Sequence, residues 1–490
     1  MTVTEAAGDA ALVDGFELVI GLEVHVELAT VTKLFSGSPN HFGDEPNTNI
    51  DPVTLGLPGS LPVLNRRAVE LAIRIGLALH CEVRPCLFHR KNYFYPDMPK
   101  DYQISQYDQP LNVEGWLELP SGKRIGIERA HMEEDTGKST HVGGTGGRIH
   151  GSDYSLVDYN RAGVPLVEIV SRPDLTTSEE ARQYVNELRS ILLAIDASDA
   201  KMEEGSMRVD ANVSVRRPGE PLGTRCEIKN LNSVRSLGRA IEYEARRQIV
   251  LLADGERVRQ ETRHWNENDG RTHTLRTKED ADDYRYFPEP DLVPLVPDEA
   301  WIDEIRRSLP PLPAERRKTL AAAAGVEPSN EAVAIAVERG RDALALRAIE
   351  AGGDPPRVLV HLEHNLPPDG REDPVTPAAL ASLTDMEVSG ALTATQAKQL
   401  LADLVASGGD GDPVALAAAR GFQAMDTGAL GTAIDDAIAA QPGAWAKYCA
   451  GEDKAAGALV GAVMKATRGQ ADGKAVIALL EIRRAEGSPT

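Results

Sequence analysis

The chain has 490 residues, 42% of them hydrophobic and 26% charged, and its 53 Lys and Arg against 75 Asp and Glu give a formal net charge of −22. That length exceeds one ordinary core and predicts several domains of roughly 100–200 residues each, while the acidic balance excludes a nucleic-acid surface spread over the whole molecule, because phosphate binding draws on Lys and Arg. No apolar run approaches the ~18–20 residues that span a bilayer, and four cysteines (Cys81, Cys86, Cys226, Cys449) without CxxC spacing exclude a disulfide framework, so the reducing cytoplasm is the expected location.

Residues 1–15 carry Glu5, Asp9 and Asp14 but no Lys or Arg, unlike the basic start of a secretory signal, and read as a disordered leader. Glu17 to Leu28 is the clearest strand. Leu18, Ile20, Leu22, Val24, Val26 and Leu28 alternate with residues that include Glu23 and His25, so one face is core and the other carries Glu-x-His. Thr177 to Glu180 has capping-box spacing, and Ala181, Tyr184, Val185, Leu188, Ile191, Leu192 and Ile195 form a helical stripe expected to pack on the sheet. Ser206 to Arg216 alternates as a second half-buried strand, and Asn268-Asp-Gly-Arg271 offers a hairpin turn. The expected class is α+β: a largely antiparallel sheet, then Ala-rich helices after a break near Pro288–Pro297, with a second break at Ser407–Pro413. From Pro413 to Thr490 eight basic residues balance eight acidic ones, so the negative excess lies upstream of this neutral tail.

Asp135-Thr-Gly137-Lys138-Ser139 looks like the end of a P-loop, but Met132 stands where the first glycine is required, and Glu133, Glu134 and Asp135 would repel phosphates. Gly143-Gly-Thr-Gly-Gly147 is likewise not a dinucleotide fingerprint, since Ile149 replaces the third glycine, and a surface loop is expected over Gly143–Gly151. The acidic and histidine residues carry more information. Glu23 and His25 share one strand face, and His131, Glu133 and Asp135 share another if that segment is extended. Glu168 lies inside the apolar run Val164–Val170, where a charge needs a partner. A bound cation and an ordinary salt bridge both satisfy this pattern. Arg90 to Gln106 packs basic, amide, hydroxyl and aromatic groups around two prolines, which suits either phosphates and an adenine ring or a structural loop.

Taken in order, Val19-Ile-Gly-Leu-Glu-Val-His-Val-Glu27, Lys91-Asn-Tyr-Phe-Tyr-Pro96, Tyr102-Gln-Ile-Ser-Gln-Tyr107, His131-Met-Glu-Glu-Asp135, Asp158-Tyr-Asn-Arg-Ala-Gly163, Lys201-Met-Glu-Glu-Gly205 and Asp283-Tyr-Arg-Tyr-Phe-Pro-Glu-Pro-Asp291 resemble the B-subunit family of bacterial aspartyl/glutamyl-tRNA amidotransferases. Gly457 to Thr467 is similar to the tail that this family shares with the YqeY proteins, and residues 300–400 match only loosely. The resemblance implies a catalytic cradle at 16–294, a helical domain at 295–410 and a tRNA-binding helical tail at 411–490. It implies a ligase that uses ATP to phosphorylate the side-chain carboxylate of Glu on tRNA(Gln) or Asp on tRNA(Asn), after which ammonia displaces phosphate.

By the same resemblance Glu23, His25, Glu133 and Glu168 align with a magnesium site, with Mn²⁺ a candidate because one donor is an imidazole. Lys91 and Lys100, with Asn92, are the expected contacts to the transferring phosphate, and Asn160 and Arg161 are further ones. Some members carry cysteines that could hold zinc where this chain has Ser36, Ser38, Asp51 and Thr54, so no zinc is expected. The chain shows neither an amidase-type Ser-rich motif nor a Cys nucleophile in a glutaminase setting, so the expected partners are the amidase (glutaminase) A-subunit that supplies ammonia, the small C-subunit and the misacylated tRNA, with no membrane. Two competing readings are a noncatalytic tRNA-binding scaffold of the same complex and an amide ligase acting on a free small acid. ATP turnover that depends on misacylated tRNA separates the first, and free glutamate in place of that tRNA separates the second.

Overall fold

The computed structural model describes the chain except residues 1–2, 6–10, 144–150, 278–283, 368–372, 423–426, 468–470, 472 and 487–490, so most of the expected Gly143–Gly151 loop lies outside the described residues. The chain divides into two compact units, Met1–Ala314 and Glu315–Thr490.

The first unit is built on a 14-stranded sheet whose central strand is Phe16–Glu27. Along it Leu18, Ile20, Leu22, Val24 and Val26 are buried, while Glu23, His25 and Glu27 point to the opposite face, as alternation requires. Its antiparallel neighbours are Met207–Arg216 on one side and Pro165–Ser171 on the other, and the latter pairs in turn with Arg124–Glu134. The Arg66–Ala78, Ser178–Ala194 and Val234–Ala253 helices contribute Leu71, Ile75, Tyr184, Leu188, Leu237 and Ile241 to the same core cluster as the apolar residues of these strands. Thr177 caps the second helix by accepting from the Glu180 amide at 3.0 Å, and the Glu180 carboxylate reaches back to the Thr176 amide at 2.7 Å, one residue beyond an ideal capping box. Among the described residues one pairing is parallel, Cys226–Leu231 with Glu261–Asn266, and the Val234–Ala253 helix makes the crossover that parallel strands need. The expected reversal at Asn268–Arg271 forms, with Gly270 at φ 64 carrying the left-handed position between paired Asn266 and Arg271.

The leader needs a correction, because Ala11–Val13 pairs antiparallel with the start of the central strand, and Val3–Glu5 pairs with Ala11–Val13. Asp14 at φ 51 and Gly15 at φ 83 make the two-residue turn that joins them, which is the tight reversal that Asp-Gly favours.

The Glu299–Arg307 helix belongs to the first unit, with Ile305 in its core and the Ser308 hydroxyl 2.8 Å from Arg74. The second unit is helical throughout its described residues and holds two separate apolar clusters. One runs from Leu320 to Ala417 and the other from Leu430 to Leu480. Thr393 and Gln396 form a full capping box at the head of the Ala394–Ala406 helix.

Candidate active site

Strand register assembles the site. Glu168 pairs across the sheet with His25 on one side and His131 on the other, and His25 pairs in turn with Arg208, so four polar side chains line up in one row over the polar face. Glu133 lies two residues beyond His131 on the same face. The His25 Nδ1 is 3.3 Å from Glu133 Oε1 and 4.0 Å from Glu168 Oε2, and the His131 Nε2 is 3.6 Å from Glu168 Oε2. One ligand atom each from His25, Glu133 and Glu168 falls within 4.8 Å of the others, and the Ser105 hydroxyl donates to Glu133 at 3.3 Å.

The electrostatics show how tightly these charges are confined. Burial pushes the Glu133 carboxyl up, but the His25 hydrogen bond and the positive charge around it win and hold it down at about 2. Burial pushes His25 down, and the carboxylates of Glu133, Glu168 and Asp210 overcome that and raise it to about 9. His131 is lowered, chiefly by burial. The cluster thus recruits positive charge, and a divalent cation is the alternative to the proton on His25. The buried Nδ1 of His131 has no hydrogen-bond partner, the His25 Nδ1 is turned toward the two carboxylates, and a donor set of one imidazole and two carboxylates fits such an ion.

The cluster faces a cavity of about 1230 Å³, lined also by Glu27, Lys91, Asp135, Asn160, Arg161, Arg208, Asp210, Lys229 and residues 40–44 and 202–205. Lys91, Asn160 and Arg161, the expected phosphate contacts, are thus among the residues that line the cavity. Arg161 is anchored by donating to the Thr136 and Gly137 carbonyls at 3.0 and 2.8 Å, and Asn160 ties the loop before it by accepting from the Asn49 amide at 2.8 Å and donating to the Glu45 carbonyl at 2.7 Å.

Three expected residues are placed otherwise. Glu23 shares the strand face, but its Oε1 accepts from Asn212 at 2.8 Å and it is outside the mutually close trio; burial, followed by the neighbouring Glu168 and Glu227, raises its pKa. Lys100 is buried against Glu134 and does not line the cavity. Asn92 donates to the carbonyls of Tyr284 and Arg285, both at 2.9 Å, and is also absent from the lining. Conversely, Arg208 and Lys229 line the cavity and His131 meets Glu168, although none of the three is among the expected site residues. Lys229 sits 2.5 Å from Asp210 and 3.1 Å from Glu227, and Arg208 sits 2.9 Å from Asp135. His131 was legible, since it shares the strand face of Glu133.

Ser36, Ser38, Asp51 and Thr54 do meet, through Ser36 and Thr54 hydroxyls 3.4 Å apart, the Thr54 amide donating to Asp51 at 2.7 Å and the Ser38 amide donating to Ser36 at 3.3 Å. The knot is made of oxygen atoms, without a thiolate to suit zinc. Burial pushes the thiols of Cys81, Cys86 and Cys226 up to about 12, which leaves them protonated and poorly nucleophilic.

Lys33, 1% exposed, donates to the Asn49 carbonyl at 2.5 Å and to the Tyr159 carbonyl at 3.4 Å, clamping the two loops that meet at Asn160. Burial lowers its pKa to about 8 against the pull of Asp51, Glu134 and Asp158. Between pH 8 and the free-lysine value of 10.5 the folded chain has released this proton and the unfolded chain still holds it, so Lys33 makes stability rise with pH across that window. Lys33→Met is expected to remove that rise in denaturation midpoints measured from pH 7.5 to 10.5, and an unchanged pH slope contradicts the assignment.

Residues 18–303 match the family model of the GatB/GatE catalytic domain, and residues 366–483 match that of the GatB domain. The unit that carries the cavity is thus a catalytic domain of the GatB/GatE class. The B-subunit of the aspartyl/glutamyl-tRNA(Asn/Gln) amidotransferase of Salinispora arenicola is 51% identical over 496 residues, covering 98% of each chain. Its counterpart in Kineococcus radiotolerans is 50% identical over 482 residues, 93% of this chain and 95% of the relative, and that of Corynebacterium diphtheriae is 48% identical over 479 residues, 94% and 95%. The chain belongs to the B-subunit family of the aspartyl/glutamyl-tRNA(Asn/Gln) amidotransferases, and so is a ligase component of a multi-subunit tRNA amidotransferase that serves protein biosynthesis. Among the described residues no helix is long and apolar enough to cross a membrane.

Proposed function

We propose that the cavity of the first unit transfers the γ-phosphoryl group of ATP to the side-chain carboxylate of Glu on tRNA(Gln) or Asp on tRNA(Asn). Ammonia from a partner amidase, the A-subunit, in a complex with the small C-subunit, then displaces phosphate to leave the amide. Activation is needed because a carboxylate is a poor acyl donor. The observation that carries this reading is the convergence of His25, Glu133 and Glu168 within 4.8 Å on the wall of a cavity also lined by Lys91, Arg161, Arg208 and Lys229. A divalent cation, Mg²⁺ or Mn²⁺, held by those three side chains would supply charge neutralisation at the phosphates. His131 orients Glu168 from behind, and Ser105 orients Glu133. Lys91 and the anchored Arg161 position phosphate oxygens, and a P-loop is not required, since phosphoryl transfer relies on positioning and electrostatics. Lys138, the cation of the near-P-loop sequence, instead begins a two-stranded ribbon with Tyr154–Asp158.

Reconstitution with both partner subunits, ATP and each misacylated tRNA tests this reading. ADP release that requires the aminoacyl group is the expected result, and amidation without ATP would overturn it. Free glutamate in place of the charged tRNA is expected to leave ATP unused.

The tail after Pro413 is proposed to hold the tRNA body. It is the charge-balanced part of an acidic chain, and Lys447, Lys454 and Lys465 are exposed on its helices. Deleting it is expected to weaken tRNA binding and to flatten the dependence of log K on log salt by about one unit for each phosphate no longer neutralised. Unchanged affinity and slope would remove the tail from the binding surface.

A further inference from the structure

Phe, Trp and Tyr make up only 4% of this chain, yet several of these rings gather beside the cavity-lining residues Lys91 and Tyr93, and some are open to solvent. Phe94 is 64% exposed, and Tyr95 and Tyr107 are each 46% exposed. The rings are ordered against one another: Tyr107 stacks on Tyr286 with centroids 4.3 Å apart and planes at 9°, Tyr284 meets Tyr286 edge-on at 6.2 Å, and Tyr95 tilts over Tyr93 at 4.7 Å. Cations lie between them, with the Lys91 Nζ 4.7 Å from the Tyr284 ring centre and the Arg285 guanidinium 5.8 Å from that of Phe94.

This arrangement is built into the sheet. Phe287–Pro288 pairs with His89–Arg90 at the sheet edge, and the Asn92 amide grips the carbonyls of Tyr284 and Arg285. Held aromatic surface that stays exposed marks a binding site, and rings interleaved with cations suit partners that combine flat π-faces with phosphates. Unpaired nucleotides are such partners. The openness of the rings favours a strand arriving from outside over the adenine of ATP, whose phosphates belong inside the cavity. In a chain of net charge −22, a local cluster of cations among rings is also selective for a polyanion. The platform leads to the reacting centre, because Tyr107 follows Ser105 by two residues and the Ser105 hydroxyl lies 3.3 Å from Glu133.

We propose that Phe94, Tyr95, Tyr107 and Tyr286, with Lys91 and Arg285, form a stacking platform for the unpaired 3′-terminal nucleotides of the aminoacyl-tRNA, which sets the amino acid they carry toward Glu133. This deepens the activity proposed above and rests on it for the identity of the RNA.

The test uses the reconstituted complex and compares uncharged tRNA with the same tRNA trimmed of its unpaired 3′ nucleotides. The unmodified complex is expected to bind the trimmed RNA about tenfold more weakly, the loss of roughly one base–aromatic stack, and Tyr107→Ala or Phe94→Ala is expected to abolish that difference. Tyr107→Trp should retain it, because the ring is what acts, and the KM for ATP should stay unchanged in all variants. A trimming effect that persists in both alanine variants overturns the platform, as does wild-type binding that ignores trimming. A raised KM for ATP with no change toward tRNA would assign the rings to adenine instead and overturn the proposal too. Binding of uncharged tRNA needs no phosphoryl transfer, so failure of the ATP-dependent reaction would leave this measurement standing.

Discussion

Glu133→Gln is expected to lower tRNA-dependent ATP turnover and amidation by roughly a thousandfold, about 4 kcal/mol of transition-state stabilisation. Glutamine keeps the shape and can still accept from Ser105, so the lost quantity is the charge beside His25 and Glu168. His25→Ala removes the imidazole donor and should cost a comparable amount. A structural salt bridge predicts something different, namely lower stability with unchanged metal dependence. The arginines that could make one are engaged elsewhere: Arg129 lies 2.8 Å from Glu128, and Arg161 lies 3.4 Å from Asp135. Titrating Mg²⁺ and Mn²⁺ against turnover, with direct Mn²⁺ binding to the purified chain as a second readout, separates the two. Near-normal turnover at low metal in folded complexes of both variants would sink the cation site. Glutamine hydrolysis at the partner's own site remains chemically possible in either variant, so transfer should suffer most.

Gly76→Ala is expected to destabilise the first unit by about 3 kcal/mol although alanine is the better helix former. Gly76 lies in the Arg66–Ala78 helix, and a Cβ there would fall 2.0 Å from Asn112 Oδ1. Asn112 is completely buried and donates to the carbonyls of Ala72 and Ala130, both at 3.0 Å, which ties the helix to the strand bearing His131 and Glu133. Helix propensity returns only about 1 kcal/mol, whereas overpacking and a displaced buried amide cost about 1–3 kcal/mol each, so the clash wins. Gly443→Ala is the control. It also lies in a helix, but nothing stands within 4 Å of its missing Cβ, so stability should hold or rise slightly. Equal denaturation midpoints for Gly76→Ala and the unmodified chain would refute the packing argument.

Much of the fold was legible because its signals are local. Alternation from Leu18 to Val26 depends on the pleat of a single strand, and it placed Glu23 and His25 together on the polar face before any partner strand was known. The 181–195 stripe needed only helical spacing to declare its buried face. Local chemistry was also overlooked: Asp14-Gly15 is as good a hairpin turn as Asp269-Gly270, but it sits in a stretch whose composition suggests a leader.

The chain by itself determined the class of fold, the family blocks and the chemical types at the site, because alternation, caps and ordered motifs are properties of neighbours in sequence. Which of those residues act together was decided by tertiary structure. Period two puts His25 and His131 each on a face of its own strand, but only the pairing of three strands far apart in the chain sets Glu168 in register between them. The same holds for the residues that went elsewhere. Asn212, 189 residues from Glu23, takes its carboxylate; Glu134, buried beside Lys100, takes that ammonium; and Tyr284 and Arg285 claim the amide of Asn92. A polar side chain does the work of whichever partner burial brings within about 3 Å of it, and that partner is chosen by long-range packing.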